Sequence, residues 1–311
     1  MIMKRISGVE VDEFFARQLA EWPMAKTNFA ALNSVQIKTV QTGDYTIKVQ
    51  FNPARIRSSA AKIDAASLKA RKCFLCDENR PLEQQWLAWG DEYKVLVNPY
   101  PIFPKHLTIA CSRHTDQSIA RRMPDMMAMA DAMDGYELFY NGPRCGASAP
   151  DHMHFQAGNK GFMPWLSELN EADEQHVASN RLARMSVVDH DRAAVVIRAT
   201  DIAAGAEMFD MLTSRLPVPT GETEPMLNVL CAKSDDEWII SAFPRKQHRP
   251  SCYDAQGDDN ILISPASVDM GGVMAIPLEK DFAKIGAREI RQIFCEVCYS
   301  SEEIAKMIKD E

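Results

Sequence analysis

Two histidines and a glutamine, His152, His154 and Gln156, recur at a spacing of two behind a loop of small residues, Asn141-Gly-Pro-Arg-Cys-Gly-Ala-Ser-Ala-Pro-Asp151. That period predicts a strand beginning at His152, with the three polar groups on one face and Met153 and Phe155 on the other. The loop offers a run of backbone N–H groups around Gly142 and Gly146, the kind of turn that receives phosphate oxygens. Imidazole, amide and N–H donors converging in this way suit phosphoryl chemistry. The plainer alternative is a pair of histidines that only share a strand.

Cys73-Phe-Leu-Cys76 is weak evidence alone, because two thiols at that spacing also serve redox chemistry or arise by chance. Taken with His114 and His152 it becomes a set of two thiolates and two imidazoles, the closed four-coordinate arrangement of structural zinc. His152 would then be a metal ligand. His154 lies one same-face step along, roughly 6.6 to 7 Å away, and is free to act as a nucleophile. Such an imidazole must be neutral, with its second nitrogen held so that the tautomer is fixed. The amides between Gly142 and Ser148, the Ser148 hydroxyl and Gln156 would meet the charge built up on the phosphate. Two competitors are a zinc hydrolase in which both histidines bind a water-activating metal, and a catalytically silent nucleotide-sugar binding protein.

These residues carry a family resemblance. His152-x-His154-x-Gln156 behind Asn141-Gly-x-x-x-Gly-x-Ser148 resembles the histidine-triad superfamily, in the branch of galactose-1-phosphate uridylyltransferase, diadenosine tetraphosphate phosphorylase and the GDP-hexose phosphorylases. Asn98-Pro-Tyr-Pro-Ile-Phe-Pro-Lys-His106, continuing to His114, is similar to that superfamily's Pro-x-x-Pro-x-His strand pair. The resemblance implies an α+β fold of antiparallel sheets with flanking helices in two related halves. It also implies structural zinc on Cys73, Cys76, His114 and His152, and a nucleotidyl intermediate on His154. Gln156 stands where the hydrolases carry the last histidine of the triad, the exchange that marks transferases and phosphorylases. Asn98, Asn141 and Ser148 fall where the family contacts nucleotide and phosphate. The implied substrate is a nucleoside diphosphate sugar or a dinucleoside polyphosphate, and the implied acceptor is phosphate or a sugar 1-phosphate. Strong agreement covers residues 73 to 158. Asp151 departs from the uridylyltransferases by adding one residue between Ser148 and the first histidine.

The surrounding sequence must supply the elements that hold these groups. Apolar residues at helical spacing from Val11 to Ala31, broken by Pro23, predict one or two helices. Val35 to Val40 and Tyr45 to Phe51 alternate around Thr42-Gly-Asp44 and predict a hairpin. Arg55, Arg57 and Lys62 follow as anion contacts or as a solvated basic loop. Tyr93 to Asn98 and His106 to Cys111 read as strands, Gln117 to Met133 as a methionine-rich helix, and Tyr136 to Tyr140 as a strand. Beyond Gly158 a charged, helix-favouring segment extends to about Arg184. The strand and helix pattern then recurs without its histidine pair, which predicts a catalytic half, residues 1 to 160, and a degenerate second half, residues 161 to 311. Arg245 and Lys246 end a strand there as further anion contacts. Ile261 to Pro277 is strand-like and Asp281 to Ile308 helical, with Cys295 and Cys298 as buried helix thiols.

The net charge of -8 provides no general pull toward nucleic acid or anionic lipid, so an anion site must be built locally. No apolar run approaches the roughly 20 residues of a membrane span, and the first residues do not read as a signal peptide. The eight cysteines are then expected as reduced thiols or ligands in a cytoplasmic enzyme, for which a homodimer is open.

Overall fold

The helical spacing near the N-terminus closes into α1 (Gly8–Glu21), whose buried stripe is Val11, Phe14, Phe15 and Gln18. Ser7 caps it in a reciprocal box with Glu10. Pro23 then opens α2 (Pro23–Ala31), where its missing N–H costs nothing. The computed structural model describes residues 6–56 and 65–309, so Arg57 and Lys62 lie outside the described residues.

The alternating segments pair as expected. β1 (Gln36–Thr42) and β2 (Tyr45–Phe51) form the hairpin, and β13 (Val273–Ile276) joins β2 in parallel to make a small sheet. After the short helix α3 (Ala65–Ala70) come β3 (Leu87–Trp89), β4 (Tyr93–Val97) and β5 (His106–Cys111). The helix α4 (Met123–Ala132), β6 (Tyr136–Asn141), β7 (His154–Asn159) and α5 (Trp165–Glu168) follow. Then come β8 (Glu174–Ser179), β9 (Ala183–Val188), β10 (Ala194–Ala199), α6 (Ile202–Arg215), β11 (Leu227–Ser234) and β12 (Glu237–Pro244). The strands from β3 to β12 form one ten-stranded sheet in the order β3-β4-β5-β7-β6-β11-β12-β10-β9-β8. Every pairing in it is antiparallel.

Counted inward from either edge, the strands follow the same chain order, with a helix between the third and fourth of each set. The two sets meet where β6 pairs with β11. Overlaying the six-residue third strands β5 and β10 aligns Gln156 with Ser241 and His154 with Ile239 through the pairing registers. Ser241 accepts the indole N–H of the fully buried Trp165 at 2.9 Å, and Ile239 lies in the apolar core. The position matching His154 is therefore filled by hydrocarbon.

Two cores flank the large sheet. On one face α1, α4 and α6 bury Phe14, the methionines of α4, Phe155, Phe209 and Ile240. On the other, the small sheet and the C-terminal segments bury Ile47, Phe103, Trp165, Met274 and Phe294. No helix among the described residues is long and apolar enough to cross a membrane.

Four sequence expectations change. The segment toward Arg184 holds only the four-residue α5, a 3-10 turn and the strands β8 and β9. Its charges pair across the sheet, Glu174 of β8 with Arg198 of β10 at 2.8 Å and Arg184 of β9 with Glu237 of β12 at 3.3 Å, so sheet pairing overrides helix-favouring composition. The methionine helix starts only at Met123, because Gln117 is committed elsewhere. Ile261 to Pro277 is mostly irregular around α7 (Ser267–Met270) and β13. The C-terminal helical stretch is cut at Ile285-Gly286 and again at Cys298 into α8 (Glu279–Lys284), α9 (Ala287–Val297) and α10 (Ser301–Ile308).

Candidate active site

β7 begins at His154, two residues later than the alternation predicts, because His152 belongs to the turn before it. The His152 N–H bonds Ala149 O at 3.1 Å, and Met153 reaches Thr115 O and Cys111 N instead of a strand partner on both sides. This turn brings His152 to the segment after β5, where His114 sits, and the Cys73 loop folds over both. The ligand atoms of Cys73, Cys76, His114 and His152 lie within 4.8 Å of one another. Cys73 Sγ is 3.3 Å from His152 Nδ1, and Cys76 Sγ is 3.2 Å from His114 Nδ1.

The chemistry of this donor set fits a metal ion. His152 Nε2 lies 2.8 Å from the Cys111 carbonyl, so it carries the proton and donates, leaving Nδ1 unprotonated toward the sulfurs. Burial opposes ionisation of Cys73, but a protonated His152 ring, whose place a bound cation would take, and the Leu75 and Cys76 backbone N–H groups bring the thiol down to about 6. Burial and then the neighbouring Cys73 push Cys76 up to about 12. A second thiolate beside the first requires a cation. Asp151, the residue with no place in the uridylyltransferase pattern, pairs with Arg71 and ties the approach to the cysteine loop onto the histidine turn.

His154 stands apart from this cluster. It is 4% exposed and opens into a cavity of about 510 Å³. Its Nδ1 lies 2.8 Å from the carbonyl of His152, a partner that assigns the proton to Nδ1 and leaves the lone pair on Nε2. Burial lowers its pKa to about 4, against the small upward pull of that carbonyl, so the ring is neutral. Gln117 fixes the backbone here. Its Oε1 accepts the His154 N–H at 2.8 Å, and its Nε2 donates to Asn141 O at 2.9 Å and to His154 O at 3.1 Å. The amide thus bridges β6 and β7 just past their last paired residues, Phe139 and Gln156.

Gln156 is oriented from its oxygen. Ile102 N–H donates to His106 Nδ1 at 3.2 Å, so the His106 proton sits on Nε2, 3.1 Å from Gln156 Oε1. Asn98 Nδ2 approaches the same oxygen at 3.5 Å and donates to Thr108 Oγ1 at 3.1 Å. With its oxygen engaged, the Gln156 amide nitrogen is left to donate into the cavity. Burial, then the positive charge of Arg55, push His106 down to about 3.

Of the residues singled out in the sequence, His154, Gln156, Asn98, Asn141, Ser148 and Arg55 all line this cavity. Arg55 donates to Tyr100 O at 2.7 Å on its rim. Gly146 shapes the loop beside Ser148. Its φ of +91 belongs to the left-handed region, and a Cβ there would stand 2.5 Å from Ala266 Cβ.

Arg245 and Lys246 do not come to this site. Arg245 is 2% exposed and donates to Asn228 Oδ1 at 2.6 Å and to the carbonyls of Val297, Pro265, Gln247 and His248, so it is a strut that holds the C-terminal segment. Lys246 lines a separate cavity with Asp189, His190 and Tyr299. Cys298 is buried as expected, but Cys295 is exposed.

Sequence reasoning missed the far wall. Asn141 Oδ1 accepts from Asn228 Nδ2 at 2.9 Å and from the Ser267 N–H at 2.7 Å, so the second half holds the start of the loop from Asn141 to Ser148 in place. The available signal was Asn228, a lone amide inside an apolar strand.

Comparison with known proteins follows this geometry. A family model described only as a domain of unknown function (DUF4922) matches residues 14–159. Diadenosine 5',5'''-P1,P4-tetraphosphate phosphorylase 2 of Saccharomyces cerevisiae is 30% identical over 116 residues, 32% of this chain and 35% of the yeast protein. The match thus spans about a third of that relative's length. The crystal structure of yeast Ap4A phosphorylase Apa2 in complex with Ap4A covers 96% of this chain and 99% of its own, with a TM-score of 0.59 at 16% identity. The chain has the Ap4A phosphorylase fold. Another crystal structure of the same yeast enzyme agrees, with a TM-score of 0.57 at 17% identity over 90% of this chain and 94% of its own. The Ap4A phosphorylase fold bears out the resemblance to that branch of the histidine-triad superfamily and the expected α+β class.

Proposed function

We propose that the protein is a nucleotidyltransferase of the phosphorylase type that works through a nucleotidyl-His154 intermediate. The observation that carries this reading is the His154 ring, with Nδ1–H held by the His152 carbonyl and Nε2 free, in a cavity shared with the Gln156 amide and the loop from Asn141 to Ser148. In the first step Nε2 attacks the α-phosphorus of a nucleoside diphosphate sugar or dinucleoside polyphosphate. An N–P bond forms as the bridging P–O bond breaks, and its electron pair leaves on the departing sugar phosphate or nucleotide. The ring gains positive charge, which the Nδ1–H bond to the carbonyl eases. Gln156 and the loop N–H groups receive the non-bridging oxygens. An oxygen of phosphate or of a sugar 1-phosphate then attacks phosphorus, the N–P bond breaks, and His154 returns neutral.

Zinc is the ion proposed for Cys73, Cys76, His114 and His152, where it would neutralise two thiolates and pin the cysteine loop to the histidine turn. A cytoplasmic setting, which keeps these thiols reduced, accords with eight free cysteines. We also propose that the repeated strand order reflects duplication of one unit, with residues 1–160 keeping the chemistry and residues 161–311 serving as scaffold.

Initial-rate kinetics with Ap4A or a nucleoside diphosphate glucose as donor and phosphate as acceptor test the reading. The expected result is a ping-pong pattern of parallel lines, abolished in His154→Gly while the variant keeps its metal. Loss of the metal in that variant would favour a zinc hydrolase in which His154 is a ligand. Unchanged turnover would overturn the role of His154.

A further inference from the structure

The cavity contains a carboxyl that nucleotidyl transfer to His154 does not use. Asp269 is 8% exposed and lines the same space as His154, Gln156 and Arg55. Its helix α7 is fixed at its start. The Ser267 N–H donates to Asn141 Oδ1 at 2.7 Å, and the Ser267 hydroxyl donates to the Tyr140 carbonyl. Asp269 Oδ2 accepts the backbone N–H of Ala266 at 2.8 Å, while no side chain among the described residues makes a hydrogen bond or an ion pair with Asp269. Arg55 also lines the cavity and is near enough to interact electrostatically, yet it spends a donor on the Tyr100 carbonyl and forms no ion pair with the carboxyl. Burial, only partly offset by the Ala266 N–H and by Arg245 and Arg55, raises the Asp269 pKa to about 7. Among the described residues the carboxyl takes its hydrogen bonds from backbone N–H groups alone, which leaves lone pairs for a donor in the cavity.

Further phosphates would be drawn to Arg55 but repelled by the carboxylate beside it. A polyhydroxyl group suits both, because each hydroxyl donates to the carboxylate and accepts from the guanidinium. We propose that Asp269, with Arg55, forms a sugar-binding subsite that makes a nucleoside diphosphate hexose the preferred donor over a dinucleoside polyphosphate. The inference rests on the reading of this cavity as the nucleotide site, but it does not require the covalent intermediate.

The test is equilibrium binding in the non-reactive His154→Asn background, so that no group is transferred. The ligands are ADP-, GDP- and UDP-glucose, the matching nucleoside diphosphates, and Ap4A. The glucose moiety is expected to tighten binding tenfold or more for the favoured base. Asp269→Asn, whose side-chain oxygen can still accept the Ala266 N–H, and Asp269→Ala are both expected to remove that increment. Neither should weaken the nucleoside diphosphate, and both should tighten Ap4A several-fold. Equal affinity for sugar nucleotide and nucleoside diphosphate before the Asp269 substitution would overturn the subsite, as would variants that lose both ligands alike. Separately, a preserved glucose increment with no adduct on His154 in the unsubstituted enzyme would overturn the covalent reading and leave the subsite standing.

Discussion

At the scale of single residues, the proposed mechanism divides the site into groups that would touch the reacting phosphate and groups that aim them. His106 belongs to the second kind. It presents its Nε2–H to Gln156 Oε1 and so decides which end of the amide faces the cavity. Replacing it with alanine is expected to lower kcat about 10- to 100-fold, the usual loss when a supporting contact goes. KM should change far less, as steady-state kinetics would show. Glu137 offers a pH test away from the chemistry. It is buried on β6, its Oε2 has no hydrogen-bond partner among the described residues, and burial raises its pKa from 4.5 to about 8. Between these values the unfolded chain has lost the proton that the folded chain keeps, so stability should fall as pH rises from about 4.5 through 8. Denaturant titrations across that range should show the fall, and Glu137→Gln should flatten it.

At the scale of elements, the sequence exposed the chemistry more clearly than its supports. The paired histidines, the cysteine loop and the strands with clean alternation were legible because each has a local period or spacing. Gln117 was not, since it reads as the first turn of a helix, and only the separation of β6 from β7 shows that its amide replaces their ladder. Arg245 looked like an anion contact because a basic pair at a strand end resembles one. What disqualifies it is a set of carbonyls from residues that lie apart in the chain. Arg245→Met is therefore expected to destabilise the fold by roughly 2–4 kcal/mol through buried acceptors left unpaired, with ligand affinity nearly unchanged above its lowered Tm. Gly146 makes the opposite case, because its place in the motif was visible but its reason was not. Gly146→Ala should cost about 1–3 kcal/mol in backbone strain and also lower activity, because the loop beside Ser148 must move away from Ala266. Thermal unfolding and kinetics on one preparation would show both losses.

At the scale of the whole molecule, ten strands and two cores place the His154 imidazole in a cavity lined from both halves of the chain. The first half supplies His154, Gln156 and the cluster of Cys73, Cys76, His114 and His152, while Asp269 of the second lines the cavity and Asn228 and Ser267 hold Asn141 from behind. That division was only half legible, since a recurring mix of strands and a helix can be seen in the sequence, but the strands β8 and β9 and the contact of α7 with Asn141 cannot. The cluster of Cys73, Cys76, His114 and His152 links the scales, because Arg71, Phe74 and Leu75 of its loop also line the cavity. Chelation is expected to release one zinc ion per chain and lower Tm, and to raise KM through loss of that wall. Elemental analysis and calorimetry would check it. The most direct measurement of the central claim is intact-protein mass spectrometry after incubation with nucleoside diphosphate sugars and dinucleoside polyphosphates in the absence of acceptor. The account predicts one nucleoside monophosphate added per chain, mapped to His154, absent in His154→Gly and discharged by phosphate. Product formation with no adduct at His154 under any of these donors would contradict it.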